Sequence, residues 1–279
     1  MKWTAAKNGD GNVIRDYLLP REYACVSFTA RLNRDGIPRI PPRKKTQVMI
    51  HADPGKRRIT GAILQTRYGF IFPVLDSAPT EELADAMKRY SSLFFSVMGT
   101  EEDVTALDNV LGRNAKRNIR YHIMTQESER PVPLIPPDDL TIRRAFPGDC
   151  DALYPLQEQY EREEVLLNPA SYNEEITRKC LLKDLEKQIV FLAQYQGKTV
   201  AKAATNARGF SFDQIGGVFT LPEFRNKGFA GYLMKDLLRY INQSGKRGTL
   251  FVKKDNGPAV SLYRKLGFSI RESFSIIYY

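Results

Sequence analysis

Between Glu129 and Asp139 the chain reads Glu-Arg-Pro-Val-Pro-Leu-Ile-Pro-Pro-Asp-Asp, with four prolines in the seven residues 131–137. Proline has no N–H and a fixed φ, so neither a helix interior nor a central strand runs through such a segment. A chain interrupted there has to build a core on either side. The segment therefore predicts two domains, 1–130 and 140–279, with 131–139 as the linker. A length of 279 residues, 42% of them hydrophobic and 27% charged, supplies enough apolar surface for both.

The net charge of +10 is shared between the two sides of the prolines, so neither side is a basic tail. It favours anionic ligands without choosing among a nucleotide cofactor, RNA, an acidic protein or a lipid head group. Cys25, Cys150 and Cys180 are an odd number with no Cys-x-x-Cys spacing, and His51 and His122 are the only histidines. That composition argues against a zinc cage or a disulfide framework and predicts no metal. No apolar run reaches signal-peptide or membrane-span length, which predicts a soluble, cytoplasmic protein with no membrane partner.

Periodicity is clearest after the linker. Residues 140–144 read as a strand, and Pro147-Gly148-Asp149 as a turn into an amphipathic helix with Leu153, Leu156 and Tyr160. Residues 171–187 read as a second helix, capped by Ser171 or Asn173. Residues 189–195, 199–206 and 211–220 then form a three-strand antiparallel meander. A helix over 228–242, a short strand at 249–252, a helix over 257–266 and two closing strands near Ser269 and 274–278 complete the order β-α-α-β-β-β-α-β-α-β-β. Before the linker, residues 23–32, 47–51, 59–66, 68–74, 93–98 and 119–124 read as strands, and 80–90 and 101–111 as helices. The fold class is therefore mixed α/β, with a largely antiparallel central sheet flanked by helices and a second, N-terminal α/β domain.

One stretch carries chemistry. Residues 217–231, Gly-Val-Phe-Thr-Leu-Pro-Glu-Phe-Arg-Asn-Lys-Gly-Phe-Ala-Gly, take a strand through a basic turn into a helix. Unpaired N–H groups and the positive end of the helix dipole make such a junction an anion site, and small residues at 228, 230 and 231 let phosphate oxygens approach the backbone. A diphosphate fits this description.

The spelling Arg225-x-x-Gly228-x-Ala230 resembles the pyrophosphate loop of the GNAT family of N-acetyltransferases, and residues 256–268 follow with Asn256, Ala259, Leu262, Tyr263, Gly267 and Phe268 at the family's spacing. The resemblance covers about 140–279, and the element order read above agrees with it. It implies acetyl-coenzyme A as co-substrate and a primary amine, on a small molecule or a peptide, as acceptor. Backbone groups of Val218, Phe219 and Thr220 would lie along the pantetheine arm and thioester, with an N–H at Phe219 or its neighbour facing the oxyanion. Amides of Arg225, Asn226, Lys227, Gly228, Phe229 and Ala230 would hold the pyrophosphate, and Asn256 would bond the pantetheine region. Tyr263 matches the tyrosine facing the thioester sulfur and would donate a proton to the departing thiolate. The general base is left unnamed; Asp213, Gln214 and Glu223 are near enough in sequence to be considered.

Simpler readings stand beside these. Tyr263 also fits plain core packing, Asn256 a helix cap, the three cysteines buried apolar positions, and both histidines structural or exposed ones. The clusters Arg43-Lys44-Lys45 and Lys56-Arg57-Arg58 fit solvated loops, and the acidic run 158–164 with Tyr160 either a solvated helix face or an attractor for a cationic amine. The N-terminal part invites comparison with a degenerate second copy of the same fold. It lacks an Arg-x-x-Gly-x-Gly/Ala run, so its expected role is to shape the acceptor cleft or a homodimer contact. Two other functions stay open: a non-catalytic acyl-coenzyme A sensor, and an aminoacyl-tRNA-dependent or other RNA-facing protein. An intact coenzyme A cradle counts against the latter.

Overall fold

The computed structural model describes residues 2–36, 46–53, 55, 58–76, 82, 83, 85, 87, 94–127 and 136–279. The first half contributes β1 (Lys2–Ala5), α1 (Gly11–Leu18), α2 (Glu22–Asp35), β2 (Gln47–Ala52), β3 (Ile59–Gln65), β4 (Phe70–Leu75), β5 (Ser96–Thr100), α3 (Glu101–Leu111) and β6 (Arg117–Gln126). The basic residues 43–45, 56 and 57, linker residues 131–135 and most of the helix expected at 80–90 lie outside the described residues. Leu83 and Met87, both helical, are fully buried against Met49, Ile63 and Val97.

The strand expected at 23–32 is instead helix α2. Cys25, Phe28 and Leu32, at helical spacing, pack on β2–β4, while Val26 and Ala30 pack on Ala207 and Phe212 from the second half. A helix covered on two sides carries apolar residues nearly all round, which erases the single stripe that marks a surface helix. Glu22, fully buried at the start of α2, accepts the N–H groups of Phe210 at 2.6 Å and Ser211 at 2.7 Å. The two halves are thus held by a buried carboxylate as well as by packing.

The second half follows its periodicity element by element: β7 (Leu140–Arg144), α4 (Cys150–Tyr160), α5 (Glu174–Lys187), β8 (Val190–Tyr195), β9 (Lys198–Arg208), β10 (Phe212–Thr220), α6 (Phe229–Gln243), β11 (Arg247–Lys253), α7 (Gly257–Lys265) and β12 (Phe268–Tyr278). Asn173, rather than Ser171, caps α5 by accepting the Ile176 N–H. On α6, Phe229, Leu233, Met234, Leu237, Leu238 and Ile241 are buried against β8, β9 and β11. Each such side chain is worth roughly 1.5–3 kcal/mol of burial, so this face fixes the start of α6 firmly on the sheet.

The two closing strands expected near Ser269 and 274–278 are one strand, β12, carrying a bulge between Ile270 and Glu272. The further strand is supplied by the first half. All twelve strands form one sheet in the order β1-β2-β3-β4-β5-β12-β6-β11-β10-β9-β8-β7. It is antiparallel except for β4–β5 and β10–β11. The last strand of each half has crossed over: β6 pairs with β11, and β12 pairs with β5. Apart from the partly described 80–90 segment, both halves show the same order of elements.

Candidate functional site

The parallel pair β10–β11 opens. Its ladder runs from Phe212↔Arg247 to Ile215↔Leu250 and ends there. On its other side β10 slips register against β9 between Gly216 and Phe219, a bulge centred on Gly217 at φ 60°. The left-handed φ favours glycine here, and a Cβ on Gly217 would crowd the Lys202 Nζ at 3.1 Å. Beyond Ile215 a cavity of about 300 Å³ fills the gap between the strands. Gly216, Gly217 and Val218 line one wall, Val252 and Lys253 the other, and Tyr121 and Tyr278 of the exchanged strands complete it.

Lys202 fixes the bulge. It stands in the apolar run 200–204 on β9, is 3% exposed, and donates to the Gly217 carbonyl at 2.9 Å. Its ammonium also lies 4.4 Å from the centre of the Tyr160 ring. Burial pushes the Lys202 pKa down to about 8, with Asp184 and Glu161 pulling it back towards the charged form. Tyr160 is pushed up to about 12 by burial, against hydrogen bonding to the Gly217 backbone. Sequence reading did not find Lys202; a lone lysine inside an apolar strand was the available signal.

At the far end of β10 the chain turns through Pro222–Phe224 into α6. Asn226 at φ 62° and Gly228 at φ 80° are both left-handed, and Gly228 is the N-cap residue of α6. Phe224 and Arg225 donate their N–H groups within the turn, and Gly231 and Tyr232 theirs to Gly228. The N–H groups of residues 226–230 between them find no acceptor among the described residues. They form a row of free donors at the positive end of a 15-residue helix, the arrangement that holds a phosphate. The Arg225 side chain does not point a free cation at this row. Its guanidinium is tied to the Thr220 carbonyl at 3.1 Å and Glu163 at 2.8 Å, with the Phe219 ring at 5.3 Å.

Asn256 and Tyr263 both line the cavity with Val218. Asn256 caps α7 by accepting the Ala259 N–H at 3.1 Å, so it performs the capping role while facing the cavity. Tyr263 is 8% exposed and packs its ring against Phe268. Burial, with Tyr160 and Glu164 adding to it, raises its pKa and keeps the hydroxyl protonated. Phe219 and Thr220 do not line the cavity: the Phe219 ring packs into Leu156, Leu221 and Tyr160.

The residues considered as bases separate. Asp213 is fully buried and paired with Arg208 and Lys246, each at 3.2 Å, and Glu223 is exposed and paired with Lys198 at 3.1 Å. Neither lines the cavity, whereas Gln214 does. Three carboxylates of the acidic run are paired, Glu158 with Arg162 inside the run, Glu163 with Arg225 of the turn before α6, and Glu164 with Lys253 of β11 at 2.7 Å. Glu164 and Tyr160 are the members that reach the cavity. All three cysteines are free; Cys25 is buried as expected, but Cys150 is half-buried and Cys180, on the outer side of α5, is exposed, and desolvation raises each thiol, which disfavours a thiolate nucleophile. Among the described residues no group of three or more His, Cys, Asp or Glu could hold a metal ion, and no helix is long and apolar enough to cross a membrane.

The parallel pair β4–β5 in the first half also ends early, after Ile71↔Val97, yet its gap is closed. Asp103 accepts the Leu75 N–H at 2.9 Å and the Arg21 guanidinium at 2.8 Å, leaving a void of about 10 Å³. The two halves share an architecture, and one of the two gaps is open.

Residues 193–275 match the FR47-like protein family, which places the match on β10, the loop, α6 and α7. No curated protein matches the sequence. Among solved structures, a Drosophila protein aligns over 99% of this chain and 98% of its own at 13% identity and a TM-score of 0.72. A GCN5-related N-acetyltransferase from Sphaerobacter thermophilus covers 99% and 94% at 15% identity and 0.60. A tandem GNAT protein from the clavulanic acid biosynthesis pathway covers 99% and 97% at 11% identity and 0.59. The chain has the GNAT fold. Its full-length agreement with a tandem GNAT protein accounts for the repeated order of elements, and the FR47-like match falls on the half whose strand gap is open.

Proposed function

We propose that the chain is an N-acyltransferase that moves an acetyl group from acetyl-coenzyme A to a primary amine by direct attack within a ternary complex. The observation that carries this is the open β10–β11 gap, leading along one strand to five free N–H groups at the start of α6. The cavity takes an extended arm, and the amides of 226–230 take a diphosphate; Gly228, left-handed and without a side chain, keeps the approach clear. The exposed backbone edge of 216–218 offers hydrogen bonds to the amides of the arm and, from the N–H of Val218, to a developing oxyanion. Holding thioester and amine in one cleft supplies much of the acceleration.

Tyr263, protonated at neutral pH, donates to the departing thiolate, and Asn256 bonds the arm while capping α7. Lys202 is a positioning residue: by holding the Gly217 carbonyl it fixes which way the adjacent amides face. We further assign residues 1–130 and 140–279 as two domains joined by 131–139, completed by exchange of β6 and β12, with the first closing one side of the acceptor cleft. The cytoplasm, where acetyl-coenzyme A is made and used, is the location this reading assigns.

The test is release of free thiol from acetyl-coenzyme A on addition of an amine library, with mass spectrometry of the product. Amine-dependent release with a matching acetylated product supports transfer. Saturable binding of acetyl-coenzyme A without release from any amine would make the chain a sensor instead.

A further inference from the structure

Among the described residues that line the strand gap, Glu164 is the only carboxylate and Lys253 the only Lys or Arg. Glu164 stands in the single π turn Glu161–Val165 that follows α4, closed by the Leu166 N–H donating to the Glu161 carbonyl at 2.9 Å. Such a turn is uncommon within helices and recurs at functional sites. The Glu164 Oε2 accepts the Lys253 ammonium at 2.7 Å, and its Oε1 accepts no hydrogen bond among the described residues. A carboxylate has lone pairs for several donors, so it keeps Lys253 and still has room for a second ammonium. Its charge is felt across the gap, where it helps to raise Tyr121, Tyr160 and Tyr263.

Beyond Lys253 the lining is apolar. Lys253, Tyr121 and Phe274 are register partners, side by side on one face of β11, β6 and β12, and Ile119 pairs with Ile276 two residues on. Neighbouring strands lie about 4.8 Å apart, so this apolar wall begins one strand from the Glu164–Lys253 pair. Phe251 stacks on Phe274 with ring centres 4.1 Å apart, and Tyr121 meets the same ring edge-on at 6.3 Å. Ala24 of α2 packs on this cluster, yet Tyr121, Ile119, Ile276 and Tyr278 stay only half-buried. Val165, 48% exposed, continues the apolar lining from the π turn. An aromatic ring placed here finds edge-on and offset partners. An acyl chain matches the wall and ignores the carboxylate, whereas an amine on a ring matches both. Arg117, the register partner of Tyr278, sets a cation at the outer end of the wall and disfavours a second positive charge on the ligand.

Resting on the acyl-transfer reading above, we propose that the acceptor is a monoamine carried on an aromatic ring, its nitrogen at Glu164 and its ring against Tyr121, Tyr278, Ile119 and Ile276. Glu164 selects the cation and the wall selects the ring. The first half then takes part in substrate selection, because β6 supplies Ile119 and Tyr121.

The test titrates the full chain by calorimetry with phenethylamine, propylamine and 2-phenylethanol, alone and with saturating coenzyme A. Phenethylamine is expected to bind about tenfold tighter or more than propylamine, from burial of the ring. It is expected to exceed the uncharged alcohol by about tenfold or more as well, from the charged hydrogen bond to Glu164. Coenzyme A is expected to bind beside the amine without displacing it. Glu164→Gln keeps the side chain's size and is expected to erase the preference over the alcohol alone. Tyr121→Ala is expected to cut the preference over propylamine by about threefold or more, with Val165→Ser giving the same reading should Tyr121→Ala not unfold cooperatively in urea. Equal binding of phenethylamine and propylamine, or either preference surviving its variant, overturns the proposal. So does displacement of phenethylamine by coenzyme A, or phenylacetyl-coenzyme A binding about tenfold tighter than acetyl-coenzyme A, since these assign the wall to the arm or to the acyl group. Absence of coenzyme A binding with both amine preferences intact would overturn the acyl-transfer reading alone, because titration reads the acceptor site without turnover.

Discussion

Lys202 provides a measurable signature of the bulge that shapes the gap. Its pKa falls from the ordinary 10.5 to about 8 because burial penalises the ammonium more than Asp184 and Glu161 favour it. With the folded value below the unfolded one, the unfolded chain binds more protons between about pH 8 and 10.5, and stability rises with pH through that window. At ~1.36 kcal/mol per unit the rise from this one group is about 3 kcal/mol. In Lys202→Met the group is absent. The stability of the wild type relative to the variant, from urea unfolding, should therefore increase by about 3 kcal/mol from pH 7 to pH 10.5. Taking this difference removes the tyrosines and other lysines that titrate in the same range. At pH 7 the two proteins should be of similar stability, because the variant loses the Gly217 hydrogen bond but also the buried charge. Turnover should fall, since the bulge is no longer pinned. A difference that stays constant within about 0.5 kcal/mol across the range would refute the assignment of a strained, buried ammonium.

Other perturbations separate the remaining parts of the site. Gly228→Asp should weaken acetyl-coenzyme A binding by roughly a thousandfold, since a carboxylate meeting a phosphate at ~4 Å is opposed by about 4 kcal/mol. Gly228→Ala should lose only the ~1–2 kcal/mol of the left-handed conformation, and unchanged affinity in the Asp variant by calorimetry would remove the loop from the binding site. Tyr263→Phe should lower kcat with little change in acetyl-coenzyme A affinity, and normal turnover would take Tyr263 out of the acid role. Glu22→Ala strands the N–H groups of Phe210 and Ser211 and should destabilise the chain by about 3 kcal/mol in urea unfolding, whereas a loss below 1 kcal/mol would show that water replaces the carboxylate.

Where one face of an element is buried, the sequence was legible. β7 and α3 match their expected spans residue for residue, and β8, β9, β10, α6 and α7 lie within about two residues of theirs. The two motifs on either side of β11 also reach a common region, because each is short and sits on a rigid junction. What failed is equally physical. α2 is buried on two sides and has no single stripe, so its pattern reads as a strand. β1 and α1 were missed: a four-residue strand and an eight-residue helix hold too few periods to register. The exchange of β6 and β12 is invisible locally, since a strand's pattern records that it is paired and covered but not by which half of the chain. Arg225 illustrates the same limit at the site, where spelling marks the loop but not the pairing of its guanidinium with Glu163. Lys202 gains its meaning only from what folds against it.

The central claim is that the gap between β10 and β11 and the amides of 226–230 form one site for an acyl-coenzyme A. Calorimetric titration of the intact chain with acetyl-coenzyme A, beside free coenzyme A and ATP, tests it most directly. Saturable one-to-one binding of acetyl-coenzyme A and coenzyme A, much weaker binding of ATP, and loss of all of it in Gly228→Asp is the predicted result. Absence of binding at millimolar acetyl-coenzyme A, or binding that Gly228→Asp leaves untouched, would contradict it.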